Sequence, residues 1–366
     1  MKVECLKEKL MKAALTVSRL VGKNMSLPIL SAILMEAKND SLLLRATNLD
    51  IGAEFVVNAK IKEGGSIAVP AQLLVNFLSN SSGENIEIEA VNGNLVIGTG
   101  RNKATIKGFA TDDYPTLPKN EDGVETKISA GVVATGIKSV VYAASLSEMK
   151  PEISSVYIYK DAEELVFVAT DSFRLAEKRV VVGRGQEFSK VLIPQRNAME
   201  MARLLEENSS QQVTLNTSKN QLGIIGENFY AVSRLVEGVF PDYQQIMPKA
   251  KTTEVVVLKE DFLGALKVAS LFTDKFLQIK LKIDPVTALF SVHAEGEATG
   301  VQDTSLDATL EGEAIEMSFN ARYVLDAFNS LTEDSITLAF NGKGRPMIIK
   351  GIGNASFTYL AMPLNR

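Results

Sequence analysis

The sequence predicts an α+β fold in which three similar domains follow one another along the chain. Amphipathic helical segments recur about every 125 residues, a second helical segment follows inside each interval, and a strand–turn–strand pattern comes after it. A repeat of this length indicates whole domains and not the small units of a solenoid. The predicted domains are residues 1–122, 123–249 and 250–366, joined by proline-rich and charged segments at 115–123 and 241–251.

Each predicted domain opens with a helix. The helical segments run from Leu6 to Leu20, from Ile128 to Ala144 and from Leu258 to Leu271. In the first segment the apolar residues recur at helical spacing, and they are Leu6, Leu10, Ala13, Val17 and Leu20. We therefore expect one face of this helix to pack on a core.

A second helix is predicted near the middle of each domain. It follows Val69-Pro70, Ile193-Pro194 and Phe319-Asn320, and these entry points lie 124 and 126 residues apart. Proline suits the first turn of a helix because its missing N–H is not needed there, and asparagine is a good N-cap. The three entry points are therefore physically alike.

A hairpin is predicted after each second helix, because apolar and polar residues alternate on both sides of a turn. The turns are Asn92-Gly93, Ser218-Lys219-Asn220 and Asn341-Gly342. Between the two helices, Ala46-Thr47-Asn48 in the first domain matches Ala169-Thr170-Asp171 in the second, 123 residues later.

Composition excludes several classes of protein. Of the 366 residues 46% are hydrophobic, but none of the apolar runs reaches the roughly 18 residues of a membrane span. The first residues lack the apolar stretch of a signal peptide. A single cysteine, Cys5, excludes an intramolecular disulfide and CxxC motifs. A reducing cytoplasm is the expected location, with no membrane partner.

Catalytic chemistry has little support in the sequence. His293 is the only histidine, and it stands in an alternating stretch where a strand position is the simpler interpretation. Gly98-Thr99-Gly100 lacks the remaining glycine and the helix of a phosphate loop, as do residues 183–185 and 342–345. The acidic stretch from Glu295 to Asp307 lacks the pattern of a calcium loop. We predict a non-enzyme without cofactor or metal.

Five segments resemble the sliding clamp family, the beta subunits of bacterial DNA polymerase III. They occur in the family's order along the whole chain, and they are Ser26–Leu30, Ala169–Ala176, Phe240–Tyr243, Phe319–Leu325 and Met362–Leu364. The resemblance implies clamp-type domains in a head-to-tail homodimeric ring, with helices lining the hole and sheets outside. It also implies a non-catalytic protein that a clamp loader places around double-stranded DNA. There it tethers the DNA polymerase III alpha subunit, other polymerases and repair proteins through short linear motifs.

A net charge of −5 does not favour nucleic-acid binding by the molecule as a whole. Sliding needs positive charge only on the inner face, since phosphate contacts are independent of base sequence. Basic residues fall near one face of the first helix or on the second helix of the middle domain, and they are Lys9, Lys12, Arg19, Lys23, Arg196 and Arg203. Periodicity alone fits solvated helix faces equally well. The resemblance favours DNA-facing positions, and adds Lys150 and the loop at Lys23; Asn24 departs from the family's frequent arginine.

The resemblance further implies a cleft between the second and third domains that binds motifs with a glutamine and two apolar residues. Its walls would be Thr170, Phe173, Arg174, Leu175, Pro241, Ile246, Asn320, Tyr323, Met347, Leu360, Met362, Pro363 and Leu364. An apolar trough with a few polar groups is typical of such sites. For Leu175 and Leu360 an ordinary core position is equally open. The final Asn365-Arg366 departs from the family's arginine and apolar residue.

The dimer contact implied by the resemblance places Ile106 of one subunit against Leu271 and Phe272 of the other. The alternative is that all three residues are buried in their own domains. Two other functions compete with a clamp. One is a peptide-binding scaffold without DNA, and the other is a nucleotide-processing enzyme, which would need a metal or phosphate site that the sequence lacks.

Overall fold

The computed structural model describes residues 1–22, 27–119, 122–183, 187–248 and 250–364. Tertiary contacts divide the chain into two compact units. The first takes its residues from 1–134, 186–189 and 200–235, and the second from 135–185, 190–199 and 236–366. The middle part of the chain contributes to both units. Within the described ranges, every helix is too short or too polar to cross a bilayer.

The first part of the chain has the predicted order of elements, except that a strand precedes the first helix. They are β1 (Lys2–Leu6), α1 (Lys7–Ser18), β2 (Ala32–Lys38), β3 (Ser41–Thr47), β4 (Ile51–Asn58), β5 (Lys60–Glu63), β6 (Gly65–Pro70), α2 (Ala71–Asn80), β7 (Asn85–Val91), β8 (Asn94–Thr99) and β9 (Asn102–Lys107). The β7–β8 hairpin is confirmed, and its turn residues Asn92 and Gly93 have φ angles of 50° and 74°. Two residues with positive φ give the turn whose twist matches that of the strands.

The second part repeats this order. Its elements are β10 (Val124–Ser129), α3 (Ala130–Lys138), β11 (Ser155–Asp161), β12 (Glu164–Thr170), β13 (Arg174–Val181), β14 (Val191–Pro194), α4 (Gln195–Glu207), β15 (Gln212–Thr217), β16 (Gln221–Ile225) and β17 (Phe229–Arg234). The predicted helix from Ile128 to Ala144 is too long. Ile128 pairs with Val213 in the β10–β15 ladder, and after α3 only a 3₁₀ turn forms at Val141–Ala143.

The third part has the same order again. Its elements are β18 (Thr253–Leu258), α5 (Lys259–Ala269), β19 (Gln278–Asp284), β20 (Leu289–Gly296), β21 (Gly300–Ser305), β22 (Ala308–Gly312), β23 (Ile315–Asn320), α6 (Ala321–Asp326), β24 (Ser335–Phe340), β25 (Met347–Gly351) and β26 (Phe357–Ala361). The predicted cap is confirmed, because the Asn320 side chain accepts hydrogen bonds from the amides of Arg322 and Tyr323 at 3.0 and 3.2 Å. Pro70 and Pro194 likewise end strands and directly precede α2 and α4, so neither proline lies in the first helical turn as predicted.

In the described parts of the chain, four antiparallel sheets form the two units. The first unit has the sheets β5-β1-β7-β8-β9 and β10-β15-β16-β17-β4-β3-β2-β6, and the second unit has β14-β11-β12-β13-β26-β25-β24-β18-β22 and β21-β20-β19-β23. Each of the two larger sheets contains strands from two successive repeats, and the connection between the repeats is the same in both sheets. In each, the last strand of one repeat pairs with the fourth strand of the repeat before it, as β17–β4 and as β13–β26.

Helix α1 packs on the core of the first unit by the face that periodicity predicts. Leu10, Ala13 and Val17 are buried. Leu6 was expected on that face but is 47% exposed, because it is the last residue of β1 and precedes the first turn of the helix. The buried stripe therefore starts one turn later than predicted.

Candidate partner-binding site

A tight turn joins β12 to β13 and presents Phe173. The Thr170 hydroxyl donates to the Arg174 carbonyl at 2.6 Å and accepts from the Ser172 amide at 3.1 Å. The Asp171 carboxylate accepts from the amides of Phe173 and Arg174 at 2.9 and 3.0 Å. These bonds satisfy the polar groups of the turn and leave the Phe173 side chain 58% exposed.

The first repeat has the same turn between β3 and β4. Thr47 donates to the Ile51 carbonyl at 2.9 Å and accepts from the Leu49 amide at 3.0 Å. Asn48 accepts from the amides of Asp50 and Ile51 at 3.0 and 2.9 Å. Leu49, like Ser172 in the second repeat, has a positive φ, 80° against 77°. The tripeptide match seen in the sequence is therefore a repeated turn motif.

Arg174 is held by protein groups on several sides. Its Nε donates to Asp171 at 3.0 Å, and Nη2 donates to the Tyr142 carbonyl at 2.8 Å. Nη1 contacts the Asp326 carboxylate, and the guanidinium lies 4.8 Å from the ring centroid of Tyr323. Burial alone lowers the pKa of Arg174, but neighbouring anionic groups raise it above its ordinary value. Arg174 is thus a fixed cation that positions Tyr323.

The end of the chain lies beside this turn. The Met362 amide donates to the Phe173 carbonyl at 2.8 Å, and the Leu364 amide donates to the Ser318 carbonyl at 2.8 Å. Phe173 and Tyr323 stack with their ring centroids 6.3 Å apart. Met362, Pro363 and Leu364 are all half-buried. The terminal segment is therefore tied down up to residue 364, and Asn365 and Arg366 lie outside the described residues.

The floor of the site is a buried cluster on one face of the nine-stranded sheet. Leu175 and Leu360 are opposite one another in β13 and β26 and are each 1% exposed. The cluster also contains Val166, Val168, Leu192, Phe240 and Tyr243, and Met362 and Met247 pack against it. Leu175 and Leu360 are therefore core residues of the isolated chain that also lie beneath Met362.

Strand alternation separates the expected wall residues into two sets. Arg174 and Met347 both pair with Ala361 and so lie on the face opposite to Leu175 and Leu360. Met347 is fully buried there. The structure thus brings Phe173, Tyr323 and residues 362–364 together where β13 begins and β26 ends. The side chains of Leu175 and Leu360 lie on one face of the sheet there, and that of Met347 lies on the other.

The linker between the second and third predicted domains crosses the face that carries Leu175. Tyr243 donates to the buried carboxylate of Glu177, and the Tyr159 hydroxyl lies 2.8 Å from that of Tyr243. Burial and the bond to Glu177 raise the pKa of Tyr243 well above its ordinary value. The anchored linker leaves Pro241 exposed and Ile246 47% exposed.

Sequence reasoning missed the residues that hold this site in place. Asp326 and Tyr142 fix Arg174, and Glu177 anchors Tyr243. Asp326 is 152 residues from Arg174 in the chain, so no local pattern connects the two.

Lys9 and Lys12 on α1, and Arg19 directly after it, are exposed. Lys9 and Lys12 line a groove of about 500 Å³ together with Asn58, Asn208 and Glu227. Arg19 is engaged differently, because its guanidinium donates to the Glu207 carboxylate at 2.7 Å. Lys23 and Asn24 lie outside the described residues.

The other expected DNA-facing residues are also at the surface. Arg196 is 86% exposed and lies 3.9 Å from Glu148, and Arg203 pairs with Glu200 one turn away at 2.7 Å. Lys150 is exposed. The pair between Arg196 and Glu148, in which both side chains are at least 80% exposed, is of a kind that contributes little energy.

The residues expected at the dimer contact differ in how exposed they are. Ile106, in the edge strand β9, is only 2% exposed, whereas Leu271 is 70% exposed in the 3₁₀ turn after α5. Phe272 is half-buried. In the isolated chain Ile106 is therefore a core residue and Leu271 an exposed apolar one.

The residues considered for catalysis or phosphate binding lie in a strand and in turns. His293 is in strand β20, as predicted, and its Nδ1 lies 2.8 Å from the Asp303 carboxylate on β21. Gly100 and Gly342 are turn residues with positive φ. Among the described residues, no group of three or more histidine, cysteine or acidic side chains is arranged to hold a metal ion.

Comparison with models of known protein families shows to which family the chain belongs. The models of the DNA polymerase III beta subunit match the chain in three consecutive stretches, the N-terminal domain at 1–118, the central domain at 127–242 and the C-terminal domain at 244–365. The chain belongs to the DNA polymerase III beta subunit family. Members of this family are sliding clamps, non-catalytic processivity factors built from three tandem clamp domains.

Individual relatives agree along the whole chain. The beta sliding clamps of Synechococcus elongatus and Bacillus subtilis are each 27% identical to it, over 100% of this chain and 99% of theirs. The crystal structure of the Bacillus subtilis sliding clamp superposes with a TM-score of 0.93 at 26% identity, over 100% of this chain and 99% of that one. The Pseudomonas aeruginosa clamp bound to griselimycin shares the fold, with a TM-score of 0.94, 22% identity and full coverage of both chains.

Proposed function

We propose that two copies of this sliding clamp close into a head-to-tail ring around double-stranded DNA. A clamp loader opens the ring, and the ring then tethers the DNA polymerase III alpha subunit, other polymerases and repair proteins. The domains of this proposal are residues 1–122, 123–249 and 250–366, with their helices toward the DNA. The cytoplasm is the proposed location, because the DNA and the replication proteins meet there.

The strand order supports closure of the ring. Within the chain, the last strand of a repeat pairs with the fourth strand of the preceding repeat. Strand β9 is the last of its repeat and β21 is the fourth of its own, and each lies at the edge of a smaller sheet. Pairing β9 of one copy with β21 of another would give the free backbone N–H and C=O groups of both edge strands hydrogen-bond partners. It would also remove two exposed strand edges at which other chains could aggregate. Ile106, Leu271 and Phe272 would lie at this contact.

The charge distribution suits loose contact with DNA. Seven residues are proposed to face the DNA. Lys23 lies outside the described residues, and the other six are exposed, namely Lys9, Lys12, Arg19, Lys150, Arg196 and Arg203. The chain nevertheless has a net charge of −5. Contacts to phosphates hold any sequence weakly and weaken further with salt, so a ring linked by topology slides without tight binding.

Phe173, Tyr323 and Met362 carry the proposal of partner binding. Phe173 stacks on Tyr323, and Met362, whose amide donates to the Phe173 carbonyl, packs on the buried floor of Leu175 and Leu360. Such a trough suits two apolar residues of a short linear motif, while Thr170, Arg174, Asn320 and Met347 support it from behind. Pro241, Ile246, Pro363 and Leu364 complete the proposed contact surface.

Retention on DNA of different topology tests the ring. Protein loaded onto nicked circular DNA is separated from free protein by gel filtration, before and after the circle is cut once. We expect retention on the circle, release after cutting, and retention again when both DNA ends are blocked by bound protein. Equal retention on all three substrates would mean ordinary binding, and no retention on the circle would favour a peptide-binding scaffold without DNA.

A further inference from the structure

The sheet face beneath the partner-binding site continues sideways across the third repeat. In the β13–β26–β25–β24–β18 ladders, one lateral row contains Leu175, Leu360, Ile348, Ala339 and Glu254. Residues opposite one another in neighbouring strands present their side chains to the same face. The floor of the partner-binding site and the outer surface of β24 and β25 are therefore one surface.

A groove of about 540 Å³ lies on this continuation. Its floor is formed by Thr337, Ala339, Ile348 and Lys350, and one of its sides by the linker at Pro248. Ile348 belongs to both places, because it also packs against the buried cluster under Met362. The groove thus adjoins the partner-binding site and is not a separate pocket elsewhere on the molecule.

The charge of the groove is positive. Lys251 pairs with Glu254 at 2.7 Å, so these two lining residues neutralise each other. Lys350 is half-buried and makes no ion pair with any residue in the described parts of the chain. On β13, which is separated from β25 by β26, the carboxylate of Glu177 is already bonded to Arg179 and Tyr243. Lys350 is therefore the charge that an incoming side chain meets.

We propose that this groove receives the segment that flanks the anchoring residues of a partner peptide, and that an acidic side chain in this segment pairs with Lys350. The inference rests on the proposed function, since the anchoring residues must occupy the adjoining site. A half-buried lysine strengthens an ion pair relative to a fully exposed one. The aliphatic surfaces of Ile348, Pro248 and Ile352 pack along the backbone of the flanking segment.

Matched peptides test the charge preference. One synthetic peptide contains only the glutamine and apolar anchor residues, and others carry four extra residues, acidic or neutral, at either end. We expect an acidic extension at one end to raise affinity about two- to fivefold over the neutral extension, the size of one modest ion pair. Lys350→Glu should cancel this gain and leave the anchor-only peptide unaffected, while Lys282→Glu, an exposed lysine on β19, should keep the gain.

Thiol labelling tests the location. Ile352 is 47% exposed at the groove, and Ile352→Cys introduces a reactive thiol there. The native Cys5 gives little background because it is buried and its pKa is raised to about 12. We expect the acidic extended peptide to slow labelling at position 352 and the anchor-only peptide to leave the rate unchanged.

The outcomes separate the two proposals. Failure of the anchor-only peptide to bind overturns the partner-binding site and this inference with it. Normal anchor binding with equal affinity for acidic and neutral extensions, or unchanged labelling at position 352, overturns the groove alone. An acidic gain that survives Lys350→Glu also overturns it.

Discussion

The backbone amide of Met362 donates a hydrogen bond to the carbonyl of Phe173 at 2.8 Å. In the first unit, Arg234 makes the equivalent bond to Asp50, also at 2.8 Å. The backbone of the turn is thus the same in both places, but the side chains differ. Phe173 and Met362 present apolar surface, whereas the exposed side chains of Asp50 and Arg234 lie 3.9 Å apart as an ion pair. The side chains, and not the fold of the turn, make one place suited to an apolar peptide.

Met362→Asp should abolish binding of partner peptides. It removes the burial of one apolar side chain and places a charge over an apolar floor, which together cost about 3 kcal/mol or more, or at least about a hundredfold in affinity. Fluorescence anisotropy with a labelled peptide measures the change. Val286→Asp, at a turn residue that is 94% exposed, is the control, and unchanged affinity for Met362→Asp would remove Met362 from the site.

Leu271→Asp should give a folded monomer. Leu271 is 70% exposed in the isolated chain, so the substitution should leave the fold intact and place a charge in the proposed β9–β21 contact. Light scattering after size exclusion gives the mass, and circular dichroism checks the fold. A stable dimer of Leu271→Asp would contradict this contact. Peptide binding should be retained, because the partner-binding site lies within one chain.

Arg174→Ala should destabilise the second unit. Arg174 is 10% exposed in its side chain and neutralises Asp171 and Asp326, so its removal leaves two carboxylates without their cation. The expected loss is about 3 kcal/mol, the lower end of what removing one partner of a buried ion pair costs, because the Asp326 side chain is 26% exposed. Denaturant unfolding measures it. Arg196→Ala, which breaks a pair whose side chains are 86% and 80% exposed, should cost less than about 1 kcal/mol; equal losses would refute the structural role of Arg174.

Alkaline pH should destabilise the first unit through Tyr114. Burial raises the pKa of Tyr114 to about 12, and its hydroxyl donates to the Ala32 carbonyl at 2.8 Å. Above pH 10 the unfolded tyrosine loses its proton while the folded one keeps it, so stability falls as pH rises. The loss approaches about 2–3 kcal/mol at pH 12. Tyr114→Phe should be less stable at pH 7 but show a shallower decline; identical slopes would contradict the assignment.

Local patterns explain why so much of the fold was predictable. Helical periodicity around Leu10 and Val17, the turn chemistry of Asn92-Gly93 and the cap at Asn320 each depend on a few neighbouring residues. The overlong helix at Ile128 shows the limit of such patterns, because its first residues belong to a strand whose partner, Val213, lies 85 residues away. Apolar residues at the end of a strand and at the start of a helix look alike until the partner strand is known.

The candidate site likewise contains some residues that the sequence located and others that only the structure shows. Motifs located Thr170, Phe173 and Met362, but the support of Arg174 by Asp326 and of Tyr243 by Glu177 had no signal in the sequence. The motifs also did not show on which face of the sheet each residue lies. The strand pairing places Met347 and Leu360 on opposite faces of one sheet.

The sequence by itself determined the threefold repeat, the order of helices and strands after the strand that opens each repeat, and the family, because periodicity, turn residues and motifs are properties of nearby positions. Only the tertiary structure decided which strands join the repeats, which carboxylates hold Arg174, and where Lys350 meets the partner-binding site. These are contacts between residues far apart in the chain, and their energies depend on burial and geometry that exist only after the sheets have formed.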